Sequence, residues 1–128
     1  GTPYLDEVNT AEAEFLTAKG FEILDIQGLN LETGTQMGRV TPAYWKQFAL
    51  EIDSTEADAI FLSCGGIRSL EVVEGIEKQS GKPVITSNQA QMWSCLRRAG
   101  IKDRLTGFGQ IFREPGRCIS GLGTAKKE

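Results

Sequence analysis

Histidine is absent from the 128 residues, and with it the imidazole that most often moves protons near neutral pH. Ser-His-Asp and Cys-His triads are therefore excluded within one chain, and proton transfer falls to Cys, Asp, Glu, Lys or Tyr. Cysteine is scarce. Cys64, Cys95 and Cys118 show no metal-ligand spacing, and an odd number suits a reducing compartment better than a disulfide framework, so a cytoplasmic protein without a metal site is expected. No apolar run approaches the ~20 residues of a membrane span, and no secretory-signal pattern is present. A basic patch is missing too: the net charge is -3, the pI is near 5.1, and Lys126-Lys127 reads as a solvated tail, which argues against a nucleic-acid partner. Neither the phosphate-loop spacing nor the dinucleotide glycine pattern follows a strand, so a nucleotide or flavin module has little support.

What is present is an alternation of helical and extended patterns. Leu5 to Lys19 places Leu5, Val8, Ala11, Phe15 and Leu16 on one broad face, with Asp6 and Glu7 in the first turn and Gly20 beyond the end. Phe21 to Ile26 alternates apolar and charged residues and predicts a strand near a sheet edge. Gln27 to Gly38, rich in Gly, Asn and Thr, predicts a functional loop or a short helical crossing. Thr41-Pro42 supplies an N-cap with proline at the first helical position, and Trp45, Phe48, Ala49 and Ile52 recur at helical spacing. Ala57 to Ser63 predicts a buried strand. Ser69 to Gln79 predicts a helix with Val72, Val73 and Ile76 inward, broken by Gly81 and Pro83 before the strand Val84 to Thr86. Ser87 or Asn88 is expected to cap a last helix carrying Met92, Trp93 and Leu96, closed by Gly100.

This order predicts one α/β domain over residues 1–112, with a parallel sheet of three to four strands, helices on both faces and a flavodoxin-like arrangement. Gly1-Thr2-Pro3-Tyr4 resembles the end of a first strand whose body is missing, and that strand would lie between the second and third. The slot is expected to be filled by Phe108 to Phe112, by a strand from a second copy, or by residues outside this sequence. Arg113 to Glu128 has no apolar period and reads as an irregular tail.

Cys64 closes the run Ala59-Ile60-Phe61-Leu62-Ser63 and is followed by Gly65-Gly66, placing a thiol where a strand gives way to a helix. In open α/β sheets ligands bind outside the carboxyl ends of strands, and a facing helix N-terminus favours anions. Two glycines allow close backbone approach. Moving a proton at a carbon beside a carboxylate needs amide donors and a positioned acid or base, and one thiol serves as either proton carrier or nucleophile. The remaining candidates read as bystanders. Cys95 is expected to be packing and Cys118 to lie idle in the tail, while Asp6-Glu7 and Glu74-Glu77 read as solvated faces and Arg97-Arg98 as a charge pair at a helix C-terminus. Arg68 has the charge to reach a carboxylate, but its neighbours point as readily to solvent.

Thr2-Pro3-Tyr4, then Met37-Gly38-Arg39, then Ser63 through Leu70, then Gly81 through Ala90 and Trp93, together resemble the second half of the aspartate/glutamate racemase superfamily. The resemblance covers Thr2 to Phe112 and points to the branch holding maleate cis-trans isomerase and arylmalonate decarboxylase. It implies two similar α/β halves enclosing a small carboxylic acid, a cofactor-independent reaction at cysteine, and Cys64 as the second-half catalytic thiol. It further implies Tyr4, Gly65, Gly66 and Met37 as substrate-binding positions. The Cys-Gly-Gly turn leans toward the decarboxylase and Ser87-Asn88-Gln89-Ala90 toward the isomerases. The opposite wall is expected from a homodimer or from a missing N-terminal half; the alternative is a truncated, non-catalytic remnant used for binding or assembly.

Overall fold

Thr41 opens its helix as the sequence predicts. Its Oγ accepts the Tyr44 N–H at 3.3 Å, Pro42 fills the first turn, and α3 (Pro42–Glu51) buries Trp45, Phe48 and Ala49. Trp45 and Phe48 meet edge to face with ring centroids 5.8 Å apart. Around them the core gathers Ile60, Leu62, Ile67, Val73, Ile76 and Val84, with Cys64 at its margin.

The computed structural model describes residues 1–114. In chain order it holds α1 (Asp6–Ala18), α2 (Gly34–Arg39), α3, β1 (Ile60–Leu62), a 3-10 turn (Leu70–Val72), α4 (Val73–Ser80), β2 (Val84–Thr86), α5 (Ser87–Arg98) and α6 (Gln110–Arg113). β1 and β2 pair in parallel with Ile60 opposite Val84, Phe61 opposite Ile85 and Leu62 opposite Thr86. The α/β class and parallel sense are those expected; the extent of the sheet is not. Phe21 to Ile26 forms no ladder, and the second pairing is a single parallel bridge, Thr2 to Gly28.

The reason lies in the first two residues. Gly1 donates its amine to the Phe61 carbonyl at 2.7 Å and accepts the Ser63 N–H at 2.9 Å. On the other side Thr2 donates to Gln27 at 2.9 Å and accepts from Leu29 at 3.1 Å. Gly1-Thr2 thus occupies the end of a strand position between residues 27–29 and β1, the flavodoxin-like order. Among the described residues, the segment 21–29 is bridged only at Gly28, by Thr2.

Several local expectations are corrected. Phe108 to Phe112 does not enter the slot: the Phe108 carbonyl accepts from Gln89 Nε2 at 2.6 Å, and Phe112 is buried in α6. The cap of α5 is Thr86, whose Oγ accepts the Gln89 N–H while Gln89 Oε1 accepts the Thr86 N–H; Ser87 and Asn88 are freed for other contacts. Glu77 is 9% exposed, not solvated, and its carboxylate receives the N–H groups of Val84 and Gln110 and the Arg113 guanidinium. Arg113 is accordingly part of a helix, while the predicted tail beyond Glu114, with Cys118, lies outside the described residues. Cys95 is exposed instead of packed. Arg97 is buried and donates to the Ile101 carbonyl at 2.8 Å, and Arg68 pairs at the surface with Glu71. On α1 the predicted apolar face is largely uncovered: Leu5, Val8 and Phe15 are exposed, and the buried residue is Asn9.

Candidate active site

The chain leaves β1 through Ser63 and turns sharply at Cys64, whose φ of 146° lies where side-chain-bearing residues are rarely found. Cys64 is nearly buried, yet the following Gly65 and Gly66 are exposed. The Gly66 N–H donates to Cys64 Sγ at 3.3 Å, so the turn curls its own amide onto the sulfur. The Cys64 N–H donates to Ser87 Oγ at 3.1 Å, and Asn88 Nδ2 donates to the Gly65 carbonyl at 3.2 Å. Both residues belong to the first turn of α5, at the carboxyl end of the neighbouring strand.

Tyr4 approaches from the Gly1-Thr2 stub. Hydrogen bonding with the Cys64 side chain, and secondarily burial, pushes the Tyr4 pKa up to about 12, so the phenol keeps its proton across the neutral range. Its loop is fixed from below: the Tyr4 N–H donates to Thr2 Oγ at 3.2 Å, Thr2 Oγ in turn bonds buried Asn9 Oδ1, and the Asn30 N–H reaches the Tyr4 carbonyl. Gly28 is required beside this latch, because a Cβ there would come within 2.3 Å of both Asn9 Nδ2 and the Tyr4 carbonyl.

Of the residues singled out from sequence, Cys64, Gly65 and Gly66 form one turn, and Tyr4 packs against the same core, its pKa raised by the Cys64 side chain. Met37 packs against the core cluster that includes Cys64, and a Cβ on its neighbour Gly38 would lie 3.9 Å from the Gly66 carbonyl. Ser87 and Asn88, expected from sequence as helix caps and within the isomerase-like stretch, instead hold the Cys64 turn, because the Thr86 to Gln89 spacing supplies the capping box. One further participant carries no sequence signal. Glu12 receives a 2.9 Å hydrogen bond from Ser63 Oγ, the residue before the thiol.

Two cavities, of about 710 and 390 Å³, lie elsewhere: one between α1 and residues 23–26, the other beside α3. Neither is lined by Cys64, which is buried at the core margin beneath the exposed Gly65-Gly66 turn. Among the described residues no group of three or more His, Cys, Asp or Glu side chains could hold a metal ion, and no helix is long and apolar enough to cross a membrane.

A parallel α/β unit that ends a strand on a cysteine-glycine-glycine turn, with solved relatives of the same architecture, has an aspartate/glutamate racemase-like fold. The chain belongs to the arylmalonate decarboxylase family, whose pattern it matches over residues 1–112. It is 32% identical over 117 residues to arylmalonate decarboxylase of Bordetella bronchiseptica, covering 88% of this chain and 48% of that protein. It is also 30% identical over 114 residues to maleate isomerase of Nocardia farcinica, covering 88% of this chain and 45% of that protein. The structure of Nocardia farcinica maleate cis-trans isomerase superposes with a TM-score of 0.84 at 29% identity, over 88% of this chain and 46% of the other. The chain thus spans about half the length of the curated relatives it matches.

Proposed function

We propose that this chain is the Cys64-bearing half of a cofactor-independent, cytoplasmic isomerase, racemase or decarboxylase acting on a small carboxylic acid. The observation that carries the reading is the strained Cys64-Gly65-Gly66 turn at the end of β1, whose Gly66 N–H donates to the Cys64 sulfur at 3.3 Å, beside a Tyr4 phenol whose pKa the thiol raises. A protonated phenol and backbone amides on a glycine turn suit the negative charge that develops on a carboxylate when the adjacent carbon gains or loses a proton. Cys64 is the proton carrier in this reading. In a decarboxylation, the C–C bond to the departing carboxylate breaks as carbon dioxide leaves, and its electron pair passes into an enediolate. The Cys64 S–H then protonates the α-carbon, and the resulting thiolate recovers a proton from water. Tyr4, Gly65 and Gly66 bind the retained carboxylate, and Met37 lines the pocket.

The opposite wall comes from a second copy, forming a homodimer, or from a companion N-terminal half. A twofold pairing of like halves places two Cys64 turns across one cleft. The exposed apolar residues Val8 and Phe15 of α1, with Leu5 at its N-cap, favour a partner and also motivate the second reading, a non-catalytic assembly module. Turnover of maleate, aspartate and an arylmalonate by the chain, at concentrations where ultracentrifugation shows a dimer or after addition of a companion half, separates the two. The enzymatic reading expects turnover that drops about 100-fold or more in Cys64→Ala. A folded, partnered protein with no thiol-dependent turnover of any of these acids contradicts it.

A further inference from the structure

Cys64 is held in a backbone conformation ordinarily left to glycine, with φ of 146°. Such a residue persists only when its surroundings over-determine it, so something must grip the peptide groups around it. Two side chains do. Ser87 Oγ accepts the Cys64 N–H, and Asn88 Nδ2 donates to the Gly65 carbonyl, so the turn after β1 is tied on both sides of one peptide unit to the start of α5. Neither side chain is spent on capping, because Thr86 and Gln89 close the helix end between themselves. The consequence falls on the sulfur: with the turn held, Sγ accepts the Gly66 N–H at 3.3 Å and sits where it raises the Tyr4 pKa.

We propose that Ser87, assisted by Asn88, is a positioning residue that locks Cys64 in its strained backbone conformation and so aims the thiol. This rests on the reading of Cys64 as the working thiol and extends it from the strand that carries the cysteine to the helix after the next strand. Ser87 touches no reacting atom. Its role is to accept one main-chain proton that an ordinary conformation at Cys64 would direct elsewhere.

The test reads the geometry without requiring turnover. In a Tyr44→Phe background, ultraviolet titration follows Tyr4 alone, since the chain has two tyrosines. Ser87→Ala is expected to lower the Tyr4 midpoint by about one pH unit or more, because a relaxed turn withdraws the Cys64 side chain, and Ser87→Thr, which keeps the hydroxyl, is expected to restore it. The strain itself is read from a second pair: Cys64→Gly should melt at a higher temperature than Cys64→Ala, and the difference should vanish when Ser87 is also alanine. An unchanged Tyr4 midpoint in a folded Ser87→Ala protein, or equal melting of the glycine and alanine variants, overturns the inference. Absence of turnover by the wild-type protein speaks against the proposed function alone, since these readouts do not depend on it.

Discussion

At the residue scale the account turns on a phenol and a thiol sharing one turn. Tyr4 is raised to about 12 first by its hydrogen bond with Cys64, then by burial and by the charges of Cys64 and Glu12. Removing the thiol should therefore lower it, and phenolate absorbance in Cys64→Ala is expected to rise closer to the ordinary value of about 10. Stability follows with a definite sign. The folded-state value lies above the unfolded one, so the contribution is fully present below about pH 10 and is lost as pH rises toward 12. Urea melts at increasing alkalinity should show this loss in the parent protein and a smaller one in Tyr4→Phe; equal losses would contradict it.

At the element scale the least expected feature is Glu77. A glutamate at the polar end of a helical pattern reads as solvated, yet this one joins α4, β2 and α6 through the Val84 and Gln110 amides and Arg113. Its burial depends on a segment more than thirty residues downstream folding back, with |i−j| of 33 for the Gln110 contact, and no local spacing encodes that return. Glu77→Ala strands the buried Val84 amide and the part-buried Gln110 amide, and its expected cost is about 3 kcal/mol, read by denaturant unfolding. A loss no larger than that of an exposed substitution such as Glu71→Ala would show the clamp to be idle. The same distinction explains which elements were legible. Thr41-Pro42 and the Trp45-Phe48-Ala49 spacing contain their whole signal within ten residues, as does the capping box from Thr86 to Gln89. Phe21 to Ile26 has an alternating pattern but pairs with no strand among the described residues, and a strand is a property of two segments, not one. Likewise Cys64 was visible by its place between an apolar run and two glycines, whereas its φ and its hold by Ser87 depend on a second strand end.

For the whole molecule, the main fact is that Cys64 is buried beneath an exposed Gly65-Gly66 turn, and that the chain spans about half the length of the relatives it matches. If the turn binds a carboxylate as proposed, with a partner closing over it, pairing and ligand binding are expected to be linked. Thiol labelling tests this most directly. Iodoacetate alkylation of the partnered protein, mapped by peptide mass, reports on Cys64 with exposed Cys95 as an internal reference. The account predicts that maleate or phenylmalonate slows labelling at Cys64 and leaves Cys95 unaffected; Cys64 labelled at the same rate with and without either acid would contradict it.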